Sequence, residues 1–250
     1  LSETSEKKFL NGSIIFSKKI AINIDAFTKT ININQSTSSD WILFRNNNLN
    51  DWNINFIGMN QETNVINNNQ RFNKAGMTGC LNFYDVAFKN AVINVSKGEC
   101  EDSLNIVNSS GVIREITIHR SFADAVDLDF SELTIQSLKI NAAGNDCLDV
   151  SGGYYIIDRA DLDICNDKGI SVGEKSNLIA NDLEIKNSVV GVAAKDSSIV
   201  EINNGNFVNT KICLDAYQKK QEFGGAIAKY KKIICDGDFK KDINSSIIRL

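Results

Sequence analysis

Apolar residues recur along this chain in pairs that flank a single different residue, and the pairs return every 22 residues. The series runs Leu104/Ile106, Val126/Leu128, Leu148/Val150, Ile170/Val172, Val192/Ala194 and Leu214/Ala216. Leu81/Phe83 extends it backwards at a spacing of 23. Such alternation marks a short strand with one buried face. A second pair follows 12–14 residues later: Ile93/Val95, Ile116/Ile118, Leu138/Ile140, Leu162/Ile164 and Leu183/Ile185. Gly205 and Phe207 hold that place in the sixth repeat. Asn166, Asn187 and Asn209 stand two residues beyond the second pair, where asparagine suits a bend.

These segments are too short and too β-branched for a helical solenoid. The several leucines and fixed asparagine of a leucine-rich repeat are missing. What remains is an all-β, single-domain parallel β-helix solenoid with about 22 residues per coil and two or three short strands per turn. Residues 80–235 read as its regular coils. Residues 1–79 read as irregular N-terminal coils and a cap, in which Ile20/Ile22 and Ile42/Phe44 are again 22 apart and DWNINFIG (51–58) alternates like a strand. The stretch NVINNNQRFNKAG (64–76) reads as a loop, and 236–250 as a C-terminal cap of the same continuous domain.

Composition narrows the class of partner. The 250 residues are 42% hydrophobic and 23% charged, ordinary for a globular chain, with no proline at all. The balance of 27 basic against 31 acidic residues, without a long basic run, gives no nucleic-acid footprint. No apolar run approaches the roughly 18–20 residues of a transmembrane segment. The first residues, LSETSEKKFL, do not have the pattern of a signal peptide.

The six cysteines follow the repeat. Cys80, Cys147 and Cys213 share one column, each just before the inward leucine of its coil. Cys100, Cys165 and Cys235 follow them at 20, 18 and 22 residues, so each pair nearly closes a turn. Of the roughly 15 pairings open to six cysteines, this placement selects Cys80–Cys100, Cys147–Cys165 and Cys213–Cys235. Small buried thiols in a reduced protein are the alternative. Disulfides imply an extracellular, periplasmic or cell-surface location. A thiol nucleophile would lack a partner, because the one histidine, His119, stands away from every cysteine in the repeat.

Acids and lysines occupy the outward column of the first strand. It reads Asn105, Asp127, Asp149, Ser171, Ala193, Asp215, and two residues on Val107, Asp129, Ser151, Gly173, Lys195, Tyr217. Coils lie about 4.8 Å apart, and two carboxylates at that distance repel by roughly 3 kcal/mol at an effective dielectric of 20. Asp127 and Asp149 therefore call for a cation, a shared proton or backbone donors, and they are candidate calcium ligands. Asp102, Asp124 and Asp146 read instead as caps that bind their own turn. Lys175, Lys195, Lys219 and Lys220, with Tyr217, make the later coils basic. The candidate ligand-binding residues are Asp127, Asp129, Asp149, Lys195, Tyr217 and Lys219, with a solvated charged face as the alternative.

The 22-residue coils, asparagine turns and strand-face acids resemble the right-handed parallel β-helix (pectate-lyase-like) superfamily of lyases, polygalacturonases, epimerases and tailspikes. The segments NDCLDVSGG, NDKGISVGEKSNL, VGVAAKDSS and CLDAYQKKQEFGG are also similar to β-helix segments of bacterial surface proteins, including ones near spore-coat-protein-H-like kinases. The resemblance covers about residues 80–235 and implies a polysaccharide partner. Polygalacturonase motifs are missing, and an Asp-Pro-His-Glu epimerase motif requires a proline this chain lacks. Asp149 and Lys195, two coils apart, are expected to be roughly 10 Å from each other, too far for one reaction centre. Two readings follow: a non-catalytic extracellular β-helix that binds or supports a polysaccharide, or a calcium-assisted lyase or related enzyme acting on an acidic glycan. The second would use Asp127, Asp129 and Asp149 for calcium and Lys175 or Lys195 as the catalytic candidate.

Overall fold

The computed structural model of the chain describes residues 4–59 and 71–250. The part of the expected 64–76 loop before Arg71 lies outside the described residues. Strands make up 71% of the described residues, with no helix among them, and they wind into a single β-solenoid of about nine turns.

The repeat of the sequence is the register of the sheet. Leu104 lies beside Leu81 and Val126, and Ile106 beside Phe83 and Leu128. The ladder continues through Leu148/Val150 and from Ile170/Val172 to Leu214/Ala216, every one of these side chains pointing into the core. Four successive coils carry three inward pairs each. Between the two expected pairs lies a third: Leu133/Ile135, Tyr155/Ile157, Leu178/Ala180 and Val200/Ile202, all buried. Stacked aliphatic side chains, packed layer on layer, supply the hydrophobic stabilisation of the coil.

One rung sits two residues away from its expected place. The inward pair beside Leu138/Ile140 is Ala160/Leu162, not Leu162/Ile164. Ile164 is exposed and has a φ of 58°. It belongs to a column of left-handed bends with Lys97, Arg120, Ala142, Asn187 and Asn209. A two-residue slip preserves alternation, so apolar pattern alone could not choose between the registers. Asn209 donates to Asn187 Oδ1 and Asn187 to Asp163 Oδ1, both at 2.7 Å, an amide ladder that Asn166 does not join.

The amino-terminal end departs from the coil. Gly12–Ser17 runs antiparallel to Ile42–Arg45, placing Ile14 opposite Phe44 and Phe16 opposite Ile42. Ile22 instead faces Ile33 in an antiparallel hairpin, so the 22-residue step from Ile20/Ile22 to Ile42/Phe44 is not a rung. Phe9 packs edge-on against Trp52 at 5.0 Å, and Phe44 stacks on Phe83 at 5.1 Å, closing this end of the core with aromatic rings. After Cys235, Asp238–Lys241 and Ser246–Arg249 still pair in parallel with the preceding coils.

Disulfides join Cys80 to Cys100, Cys147 to Cys165 and Cys213 to Cys235, with Cα–Cα separations of 5.4, 5.3 and 6.2 Å.

Candidate functional site

The outward side chains of the first strand form the floor of a groove of about 1010 Å3. Asp127, Asp129, Asp149, Lys195 and Lys219 all line it. Lys175 and Tyr217 do not: Lys175 Nζ sits 5.8 Å from the centre of the Phe223 ring, and Tyr217 is half-buried beside Lys195. One wall is the segment Arg71 to Thr78, which brings Arg71 and Lys74 over the acids. The other end is closed by Lys219 and Lys220, whose backbone N–H groups both donate to Asp196 Oδ1 at 2.7 Å. Lys220 Nζ also pairs with Glu174. The acidic floor is therefore flanked by cations at both ends, whereas the sequence places them only in the later coils.

Three devices position the acids. Alternation turns Asp127 and Asp149 outward between buried Val126/Leu128 and Leu148/Val150, and Asp129 outward directly after buried Leu128. Asn105 Nδ2 donates to Asp127 Oδ2 at 3.4 Å and to Asp129 Oδ2 at 3.3 Å, bridging the two carboxylates. Beyond Asp129 the chain bends through a left-handed column: Asn46, Asp85, Asn108, Phe130, Gly152, Glu174 and Asp196. Stacked hydroxyls hold that bend. Ser131 Oγ donates to Asp129 O at 2.8 Å, and Ser131 N–H is taken by the Tyr155 hydroxyl at 3.2 Å.

The acids are desolvated and crowded. Burial pushes the Asp127 carboxyl well above the usual range, reinforced by the charges of Asp102, Asp129 and Asp149. Asp129 is pushed up to about 6, chiefly by burial, with Asn105 pulling the other way and Asp149 adding to the rise. Burial likewise raises Asp102 to about 8, and its Oδ2 makes no hydrogen bond. A protonated acid in this cluster is the cheaper state at neutral pH.

Two expectations change here. Lys195 and Asp149 are two coils apart in the backbone, yet Lys195 Nζ lies 3.8 Å from Asp149 Oδ1. The intervening residue is Gly173, and a Cβ there would stand 3.4 Å from Lys195 Cε. The long side chain lies along the gap that glycine leaves. Asp124 and Asp146 do cap backbone, but across coils rather than within their own turn. Asp124 Oδ1 accepts Asp146 N–H at 2.9 Å, and Asp146 Oδ1 accepts Lys168 N–H at 3.0 Å.

The groups that face Asp127 and Asp149 are donors rather than further oxygens. An amide N–H points at Asp127 and an ammonium lies beside Asp149, where an ion would need oxygens. Among the described residues no three His, Cys, Asp or Glu side chains are arranged to hold a metal ion. His119 is exposed on the third face, beside Ser96 and Asn141 and away from the groove.

The pattern of apolar pairs did not single out Arg71, Tyr84, Glu174 and Asp196, which also line the groove. Glu174 and Asp196 share the 22-residue bend column with Asp85 and Asn108, a signal present in the sequence. Scans of the chain against protein-family models, curated proteins and solved structures returned no match.

Proposed function

We propose that this chain is an extracellular or surface-associated β-solenoid protein that binds a polysaccharide along the groove of its first face. The observation that carries this reading is the groove itself: an extended channel along the coils, with Asp127, Asp129 and Asp149 on its floor and Arg71, Lys195 and Lys219 around them. Clustered acceptors and cations in a long cleft suit a hydroxyl-rich or acidic polymer, each sugar meeting successive coils. Three disulfides support an oxidising compartment. Among the described residues no helix is long and apolar enough to cross a membrane.

A second reading has its own observation. Asp129, raised to about 6, stands beside Asp127, whose carboxyl burial also raises, so two adjacent carboxyls in one cleft keep protons towards neutral pH. That is the arrangement a carbohydrate-active enzyme uses for acid and base roles on an acidic glycan, with Lys195 beside Asp149 as the companion cation. The donor set supports this chemistry without calcium.

Incubating the protein with polygalacturonate, alginate and neutral galactan tests both. Retention on one of these polymers without new chain ends is the expected result. New unsaturated or reducing ends move the assignment to the enzyme; no retention on any polymer removes both readings.

A further inference from the structure

Phe130 occupies a position that its chemistry does not favour. Its φ is 48°, in the left-handed region, where a bulky side chain is strained. The other residues of that bend column are Asn46, Asp85, Asn108, Gly152, Glu174 and Asp196: asparagines, acids and a glycine. Phe130 also leaves 64% of its surface exposed, so the ring gains little from burial.

The surroundings hold it there. Its chain neighbours are pinned, since Asp129 O accepts both Ser131 Oγ at 2.8 Å and Asn108 N–H at 3.0 Å. The ring rests on Gly152, one coil on, where a Cβ would meet Phe130 Cδ1 at 2.6 Å. No other residue could lie beneath the ring without moving it. Two later members of the column, Glu174 and Asp196, line the channel; Phe130 is not one of its lining residues but directly follows Asp129 on the floor, with its ring open to solvent.

We propose that Phe130 is a stacking platform for a pyranose ring of the bound polysaccharide, resting on the proposed glycan-binding role of the groove. An aromatic face packs against the C–H face of a sugar, while the sugar hydroxyls turn towards acceptors such as Asp129. The strain is held by the fold in advance, so the ring loses no freedom when the polymer arrives. The ligand this selects is a polymer of pyranose units with an uncovered C–H face at the Asp129 subsite.

Phe130→Asn provides the test, because asparagine is already the residue of this column one coil earlier, at Asn108. Binding of wild type, Phe130→Asn and Phe130→Tyr to polygalacturonate, alginate and galactan is measured by calorimetry, with melting temperature alongside. The expected result is an unchanged or higher melting temperature for Phe130→Asn, with affinity reduced about five- to tenfold. Phe130→Tyr keeps the affinity. Wild-type binding that Phe130→Asn leaves intact overturns the platform and spares the groove. No binding by wild type overturns both.

Discussion

Lys195 Nζ lies 3.8 Å from Asp149 Oδ1, reaching over Gly173 from two coils away. Asp149 Oδ1 makes no hydrogen bond, so this ammonium is its nearest compensation in a floor already crowded by Asp127. Removing the lysine leaves a desolvated carboxylate beside another acid. Lys195→Met is expected to lower unfolding free energy by about 1–3 kcal/mol, less than a fully buried pair because Asp149 stays partly exposed. Adding Asp149→Asn is expected to recover most of that loss. A strictly additive double mutant in urea denaturation would show that the two groups are not coupled.

Acidity should stabilise this fold. Asp102 and Asp129 titrate in the folded chain near 8 and 6, above the usual carboxylate value. A raised folded pKa means that the folded state binds the proton more tightly, so the penalty is complete above pH 8 and is relieved as pH falls through each value. Unfolding free energy at pH 5 is expected to exceed that at pH 8 by about 2 kcal/mol or more. Asp25, Asp51 and Asp242 have lowered values and act oppositely, so the gain reverses as acid protonates them. Urea midpoints that fall steadily from pH 8 to 5 would contradict the desolvated cluster.

The disulfides each close most of one coil. Replacing Cys147 and Cys165 together by serine is expected to lower stability by about 2–4 kcal/mol. Thiol titration of denatured, unreduced protein should find no reactive cysteine; six would remove the covalent pairs and the oxidising compartment with them.

Calcium chloride is expected to leave the melting temperature unchanged, because donors already face Asp127 and Asp149. A rise that disappears in Asp127→Asn/Asp149→Asn would place an ion between them.

The first face was legible because its leucines and valines alternate at a fixed period, and the cysteines share that period. The middle face was not, since Leu133/Ile135 and Tyr155/Ile157 stand close to loops whose lengths vary. Ala160 contributes too little apolar character to mark its rung, which moved the reading to Ile164. At the groove, the acids followed from the outward column, but the Lys195–Asp149 contact did not. Backbone spacing alone measures coils, and this contact depends on side-chain length and on Gly173 being empty. Arg71 and Lys74 reach the groove from a segment outside the repeat, where no period could place them.

The most direct test of the groove is the dissociation constant for a bound polysaccharide, compared between wild type, Asp127→Asn/Asp129→Asn and the third-face control Asp161→Asn. Asp161 lies on the sheet beside Lys139 and Glu184, away from the channel. Calorimetry against polygalacturonate, alginate and galactan should find one polymer bound by wild type, with affinity at least about tenfold weaker in the groove variant and unchanged in the control. Equal affinity in all three proteins, or no binding by any, would contradict the assignment of this face.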